Sequence, residues 1–345
     1  PWLIALHCQH GSKELNSSNA AGINPLRLLT EIGMMLNNPC WAHGIHTNQM
    51  KPLPMQKGVT WGVGTAFIFG AYIILSKYLL PYFSSAWLLL ASGIGIVLLI
   101  PSAIQRRSIY SSWGKREWNL VLAMALFSGF FNFSILLSIN FLPASIATMF
   151  IGLSSVTLLI RTCMMGKRKP LRLEVASVLF AVVGAFLVLG VKIGSYSLVG
   201  IAFGVCTLVF GTNAVILTGR MRKTINPKEV VLTKQLSKIL FGCIGLLFAS
   251  TVPSPGSPSL GALWVLLLVS GGLKMLESFT ASKTAFELPP VVYRNILLLN
   301  LPIVGLAESW LFGIHLDPYQ WFGILLILLS GLAAIFSGEE RLQAI

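Results

Sequence analysis

Charged residues are scarce in this sequence, and those present are mostly basic. Only 10% of the 345 residues are charged, with 25 Lys and Arg against 11 Asp and Glu. Hydrophobic residues make up 55% of the chain and its mean hydropathy is +0.78, well above the values of soluble domains. The apolar residues occur in long blocks. The composition therefore predicts an all-α, polytopic membrane protein.

Residue types that enzymes and ATP-driven machines need are missing from these blocks. None of them contains a histidine or a pair of neighbouring carboxylates, which argues against an intramembrane enzyme. No Gly-x-x-x-x-Gly-Lys-Ser/Thr loop is present, so direct use of ATP is not expected. Three cysteines lie within the apolar blocks, Cys163, Cys206 and Cys243. Their spacing matches no motif, so no disulfide framework is predicted. We predict no cofactor and no metal site in the apolar blocks.

The basic excess has a different meaning here than in a soluble protein. A net charge of +14 would favour nucleic acid as a partner, but these cations lie in short loops between apolar spans, where they fix membrane orientation. The predicted partners are therefore the lipid bilayer and a small-molecule solute, and nucleic acid is not expected. The sequence indicates no particular oligomeric state.

Residues 1–57 form a separate, more polar region without an 18-residue apolar run. The stretch 24–36 fits a short amphipathic helix, with Pro25 in its first turn. Two groups of Cys and His, at 7–10 and 40–46, contain zinc-ligand residue types, but their spacing matches no tight finger pattern. We therefore predict a disordered N-terminal extension rather than a metal site.

Apolar spans recur from Thr60 onward, each near the roughly 20 residues that cross a bilayer as a helix. Proline and polar residues separate neighbouring spans at Leu80–Ser84 and Asn140–Pro143. Ten transmembrane helices are predicted. Their ranges are 60–80, 84–104, 118–138, 143–163, 173–191, 197–217, 231–251, 260–283, 289–311 and 319–337.

The loops between these spans alternate in charge. Basic residues are concentrated at 105–117, 164–172 and 218–230, after the second, fourth and sixth spans. The loops after the odd-numbered spans contain a single basic residue, Lys192. By the positive-inside rule the basic loops face the cytoplasm, and an even number of spans returns the C-terminus to the same side. We predict cytoplasmic termini in a plasma or inner membrane.

The second half of the chain repeats the pattern of the first. At an offset of 147, the segment 141–166 superimposes on 288–313, and Gly184 corresponds to Gly331. Five spans per repeat would make the two repeats enter the membrane in opposite senses, which is the arrangement associated with alternating access. The predicted divisions are 58–192 for the first repeat, 193–338 for the second and 339–345 for a cytoplasmic tail.

A resemblance to a known family rests on motifs in the last two spans. Leu301-Pro302-Ile303-Val304 is followed by Gly313, then by Gln320-Trp321-Phe322-Gly323 and Leu329-Ser330-Gly331. With ten spans in two halves, residues 58–338 resemble the EamA-type branch of the drug/metabolite transporter superfamily. The resemblance implies a secondary transporter or exporter of small metabolites, with a central cavity formed mainly by the first four helices of each repeat.

The chain departs from that family where members often carry a Gly-Glu pair. The equivalent positions read Gly166-Lys167 and Gly313-Ile314, so the acidic residue is absent from both halves. No site residue can be carried over from the family. Candidates must come from the residues of this chain.

Six polar or charged residues inside the apolar spans of the second half are the candidates for a substrate site. An ionisable group in hydrocarbon costs about 2.5–3.5 kcal/mol on insertion scales, so it tends to be paired, to reach the interface or to line a cavity. Two carboxylates in the set, Glu277 and Glu308, are also candidates for carrying a proton. The six are Lys238, Lys274, Glu277, Arg294, Asn300 and Glu308.

Depth along the helices predicts which of these residues meet. At about 1.5 Å per residue, Glu277 and Arg294 lie roughly 9 Å to the cytoplasmic side of their helix midpoints, so we expect them to face one another. Lys274 is one turn from Glu277 and Lys238 reaches a similar depth, which makes a net positive cluster suited to an anionic solute.

Structural alternatives remain open for several charged residues. A Glu277–Arg294 pair would also serve simply to join two helices. Lys234 lies near the end of its span, where a snorkelling side chain is expected. Glu308 near the outer end of its span is equally consistent with an interfacial carboxylate.

The sequence therefore favours a secondary transporter, an exporter or exchanger, of a small organic metabolite that is possibly anionic. The alternatives are a non-transporting membrane scaffold or receptor and, less favoured, an intramembrane enzyme. A scaffold or receptor would predict a larger extramembrane domain than 57 residues and short loops.

Overall fold

The computed structural model describes residues 55–99, 113–165, 171–190, 196–222, 224–248, 260–288 and 290–343. Within these ranges all regular structure is helical. The helix predicted at 24–36 and the two Cys and His groups lie outside the described residues. The helices are α1 Met55–Leu79, α2 Ser85–Gly93, α3 Lys115–Phe141, α4 Ala144–Met165, α5 Arg172–Gly190, α6 Leu198–Met221, α7 Pro227–Phe248, α8 Leu260–Glu287, α9 Pro290–Leu297, α10 Asn300–Phe312 and α11 Pro318–Gln343.

Seven helical segments in the described part of the chain are long and apolar enough to cross a membrane, with α9 and α10 counted together as Pro290–Phe312. Three shorter apolar helices accompany them, at Ser85–Val97, Val175–Val188 and Pro318–Ala333. The prediction of an all-α, multi-pass integral membrane protein is confirmed. The count of ten crossings stays a prediction.

The second predicted span, 84–104, begins as an α-helix at Ser85 but tightens into a 3₁₀ helix over Ile94–Leu98. Close packing accompanies this change. A Cβ on Gly93 would lie 3.3 Å from the backbone nitrogen of Ile239, so the backbones of α2 and α7 are nearly in contact there. Sequence hydropathy measures the length of an apolar block, and it carries no information on this local winding.

The predicted span 289–311 is interrupted, because α9 ends at Leu297 and α10 begins at Asn300. Pro302 explains the interruption. It has no N–H to donate to the carbonyl of Leu298, four residues earlier, and its ring clashes with that carbonyl in a straight helix. The Leu298 carbonyl instead accepts from Leu301 N at 3.0 Å, and Leu298 N and Leu299 N likewise bond three residues back.

Two ends of the bundle are distinguished by the helix junctions found there. They are the α3–α4 end, where residues 142–143 join α3 to α4, and the α8–α9 end, where α8 ends at Glu287 and α9 begins at Pro290. A hydrophobic core with Ile73, Leu136, Ile151, Leu263 and Val304 joins helices of both halves of the chain. Much of it lies toward the α3–α4 end.

Contacts between helices link the two halves closely. Helix α3 packs against α6, and α1 packs against α8. Helix α2 packs against α7, and α5 packs against α11. The last pair crosses at two glycines, since a Cβ on Gly184 would lie 2.6 Å from the carbonyl oxygen of Gly323.

Candidate functional site

A cavity lies between α1, α3, α6, α7, α8 and α9, on the α8–α9 side of the bundle, and its walls leave about 580 Å³ of empty space with the open mouth included. Four of the six predicted site residues line it, together with Lys234. The lining residues are Phe69, Met124, Ser128, Phe131, Asn132, Ala214, Val215, Thr218, Lys234, Lys238, Lys274, Glu277, Ser278, Ala281, Ala285, Tyr293, Arg294 and Leu297.

Lys274 and Glu277 form an ion pair at the centre of the lining. The Lys274 Nζ lies 3.1 Å from Glu277 Oε2, one helical turn along α8. Lys274 is only 1% exposed, and its ammonium group lies 4.5 Å from the ring centre of Phe69 and 4.7 Å from that of Tyr72. Two aromatic faces and one carboxylate thus compensate this charge.

Lys238 approaches the same pair from α7. It is 1% exposed and donates to Ser278 Oγ at 2.7 Å and to Gln235 Oε1 at 3.3 Å. Ser278 Oγ in turn donates to the backbone carbonyl of Lys274 at 2.9 Å. Ser278 therefore connects the ammonium group of Lys238 to the helical turn that carries the ion pair.

Lys234 also turns toward the cavity rather than simply toward the helix end. Its Nζ donates to Ser282 Oγ at 3.1 Å. The snorkelling expected from its position is therefore not what the structure shows. A hydroxyl on the facing helix α8 supplies the polar partner that the interface would otherwise provide.

Arg294 enters the lining from α9 and is 4% exposed. Its Nη2 donates to the carbonyl of Gly211 at 2.8 Å, and its guanidinium carbon lies 5.7 Å from the ring centre of Phe131. The Nε of Arg294 has no hydrogen-bond partner within the described ranges. Gly211 permits this approach, because a Cβ there would lie 3.1 Å from Nη2.

The predicted direct contact between Glu277 and Arg294 is wrong, since Glu277 pairs with Lys274 instead. Glu277 and Arg294 do line the same cavity, as expected from their depth along the helices. Depth cannot give the angle of each side chain around its helix axis. The guanidinium turns to the backbone of α6, which the depth argument did not consider.

Asn300 and Glu308 do not line the cavity. Asn300 is 1% exposed at the first residue of α10, and its Nδ2 has no hydrogen-bond partner. Glu308 is fully buried and accepts hydrogen bonds from Ala144 N at 2.5 Å and Ser145 N at 2.7 Å. We do not carry either residue into the proposed substrate site.

Glu308 caps the first turn of α4, where helix N–H groups have no partner inside the helix. Lys77 caps the opposite kind of terminus, the C-terminal end of α3. Its ammonium group donates to the carbonyls of Ile139 at 2.7 Å and Leu142 at 2.9 Å. The two charges thus satisfy both helix termini at the α3–α4 turn. This arrangement identifies Glu308 as a structural carboxylate in the described conformation.

Sequence reasoning missed the hydroxyl groups of the site. Lys274, Ser278 and Ser282 follow one another at four-residue intervals, which places them on one face of α8. The spacing itself could have predicted this face. Two serines on the same face as a buried lysine of a membrane helix indicate that this face lines a polar cavity.

Comparison with known protein families gives one match. Residues 56–190, which cover α1 to α5, match the EamA-like transporter family. This part of the chain is therefore similar to EamA-like transporters. The resemblance seen in the sequence is confirmed, and the EamA family is a family of membrane transporters rather than of enzymes.

A solved structure is similar to this chain in fold. A crystal structure described only as that of a protein aligns with a TM-score of 0.52 at 15% identity, over 80% of this chain and 98% of the other. At that identity the likeness concerns the fold alone. The comparison with curated proteins gives no match.

Proposed function

We propose that this chain is a secondary transporter, an exporter or exchanger, of a small organic anion. The observation that supports the proposal most is a buried cavity with a positive excess, lined by helices of both halves of a chain similar to EamA-like transporters. Lys234, Lys238, Lys274 and Arg294 surround a single carboxylate, Glu277. Burying such an excess is costly unless a ligand compensates it.

The fold itself does not require charges at these positions. In the repeat alignment, Lys274, Glu277 and Arg294 correspond to Phe127, Phe130 and Ala147 of the first half. Two of these equivalents are aromatic and one is small.

Alternating access between two inverted repeats is the mechanism we propose, with ten membrane crossings. The helix contacts support it. If α1 corresponds to α6 and α3 to α8, then the contact of α1 with α8 is the counterpart of the contact of α6 with α3. Inverted repeats offer two related packings of the same chain, one open to each side of the membrane.

Glu277 is the residue we propose to couple transport to protons. An entering anion would compete with Glu277 for Lys274, and protonation of Glu277 would weaken the internal pair and free that ammonium group. The pair partner is Lys274 rather than Arg294, and Arg294 serves as a fixed anchor for the anion.

Orientation and boundaries complete the proposal. The α8–α9 end and both termini face the cytoplasm, in a plasma or inner membrane. Residues 1–57 are an extension that transport does not need, 58–192 and 193–338 are the two repeats, and 339–345 is a tail.

Flux from proteoliposomes tests this function. Vesicles containing the full chain are loaded with a defined mixture of carboxylates, amino acids, nucleosides and sugars, and efflux is followed by mass spectrometry with and without a proton gradient. We expect carboxylates to leave faster than from protein-free vesicles. Arg294→Gln should abolish this efflux, and Glu277→Gln should remove its pH dependence.

The exposed Lys228→Gln on α7 is the matched control and should behave as the unmodified chain. If no solute leaves faster than from protein-free vesicles, transport is the wrong function and a scaffold or receptor becomes the better interpretation. If Arg294→Gln and Glu277→Gln lower protein abundance but leave flux per molecule intact, the cavity charges are structural.

A further inference from the structure

Three of the four cations in the cavity have no carboxylate within ion-pair distance in the part of the chain that the structure describes. Among the described residues, Lys274 has Glu277 within ion-pair distance. The polar partners of Lys238 and Lys234 are neutral side chains, and that of Arg294 is a backbone carbonyl. A second anionic group on a ligand would therefore meet a basic side chain that has no carboxylate within ion-pair distance among the described residues.

Two of the three lie together on one wall. Lys234 and Lys238 are four residues apart on α7, so they project from one face about 6 Å apart along the helix axis. The hydroxyls they contact, Ser282 and Ser278, have the same spacing on α8. The α7–α8 wall thus presents two parallel ammonium–hydroxyl contacts.

The third cation belongs to a different wall. Arg294 extends from α9 to the backbone of α6, on which Gly211 lies, and rests over the ring of Phe131 from α3. Its unpartnered Nε is buried, which leaves a strong donor without an acceptor. A guanidinium with a free donor edge is suited to a carboxylate.

The cavity lining also includes several apolar side chains. Met124, Ala214, Val215 and Ala281 line the cavity, with Phe69 and Leu297. An uncharged stretch of a ligand would contact these groups without leaving a polar atom unpaired. The lining thus combines cationic groups from two helices, α7 and α9, with apolar side chains in one cavity.

We propose that the substrate carries two acidic groups joined by a short uncharged spacer, one held by Arg294 and the other by Lys234 and Lys238. The inference rests on the proposed function, because it names the class of solute that the same cavity takes. Glu277 keeps the proton-coupling role proposed above, through its pair with Lys274.

A matched pair of ligands tests the inference by direct binding. The full chain, purified into lipid nanodiscs, is titrated with succinate and with its monomethyl ester, which has the same spacer and one acidic group fewer. Because a hydrogen bond to a charged group contributes more than a neutral one, we expect succinate to bind about tenfold more tightly or better.

Variants assign each acidic group to its wall. Lys238→Gln and the double variant with Lys234→Gln should bring succinate down to the affinity of the ester and leave the ester unchanged. Arg294→Gln should weaken both ligands. Lys228→Gln should change neither, since Lys228 is exposed outside the cavity. Thermal unfolding of each variant identifies any that fails to fold.

Three outcomes would overturn the proposal. The first is equal affinity for succinate and its ester, and the second is a loss in Lys238→Gln that is the same for both ligands. The third is inorganic phosphate binding as tightly as succinate, because one compact dianion would then suffice. Efflux in the proteoliposome assay is a separate measurement, so transport of other solutes together with any of these results would leave the proposed function standing and reject only the diacid.

Discussion

The two ends of the bundle use buried charge in opposite ways. At the α3–α4 end, Lys77 and Glu308 bind backbone groups at the termini of α3 and α4. In the cavity toward the α8–α9 end, Lys238 and Arg294 bind few polar groups and meet no carboxylate among the described residues. Burial is nearly complete for Glu308 and for both cavity cations.

The difference shows that burial alone does not mark a functional charge. Helix termini carry partial charges and unpaired backbone groups, so a side chain of opposite sign there satisfies both partners. A cation surrounded by hydroxyls and aromatic rings retains capacity for an anion. Charges of the first kind should affect stability when removed, and charges of the second kind should affect binding.

Of the substitutions that test this difference, one at Glu308 should cause the largest loss of stability. Glu308→Ala would leave two buried N–H groups of α4 without an acceptor and Lys77 without its nearby anion, which we expect to cost about 3 kcal/mol of stability. Chemical unfolding in bicelles measures this loss. Glu308→Gln should lose less, because its amide oxygen can still accept. Equal stability of all three proteins would refute the capping role.

Lys77→Met should have the next largest effect on stability. The carbonyls of Ile139 and Leu142 would lose their cationic donor, at a cost of about 2 kcal/mol. The same unfolding measurement applies, with the exposed Lys115→Met as a control at the other end of α3. A loss as small as that of the control would mean that the two carbonyls find other donors.

Lys238→Met should leave stability within about 1 kcal/mol of the unmodified chain or raise it, because removing an unpaired buried charge can be neutral or favourable. Preference for succinate over its monomethyl ester should disappear at the same time. A stability loss as large as that of Glu308→Ala would erase the distinction between the two ends, and Lys238 would then be structural.

Ser282→Ala should give the smallest effect. It removes the hydroxyl that Lys234 contacts, and we expect succinate affinity to fall about two- to fivefold, as for a single neutral hydrogen bond. Stability should not change measurably. A larger loss of succinate affinity than in Lys234→Gln would show that the hydroxyl contacts the ligand directly.

Hydropathy and depth along a helix axis depend on residue order alone, so the sequence could indicate apolar helices and bring together four of the six candidate residues. Lys238, Lys274, Glu277 and Arg294 line one cavity as expected. Residue order did not predict which side chains pair inside the cavity, because the rotation of each helix about its axis depends on packing. Arg294 found its acceptor at Gly211, 83 residues away in sequence.

The role of Glu308 was difficult to predict for a related reason. Its partners lie 164 and 163 residues away, at Ala144 and Ser145. A clue was present, because Pro143 precedes α4 and no acidic residue lies in its first turn, so its N–H groups have no local capping side chain. A buried helix start without a cap indicates that an acceptor must come from another segment.

The interruption at Leu298–Leu299 divides one predicted span into two helices, α9 and α10. Arg294 lies on α9 and Glu308 lies on α10, so the binding charge and the capping charge are on different sides of the joint. A continuous helix would transmit a tilt at Arg294 directly to the cap of α4. Because Pro302 removes the hydrogen bond that would stiffen this point, a tilt of α9 would be transmitted only weakly to α10, and the contacts of Glu308 with α4 would be kept.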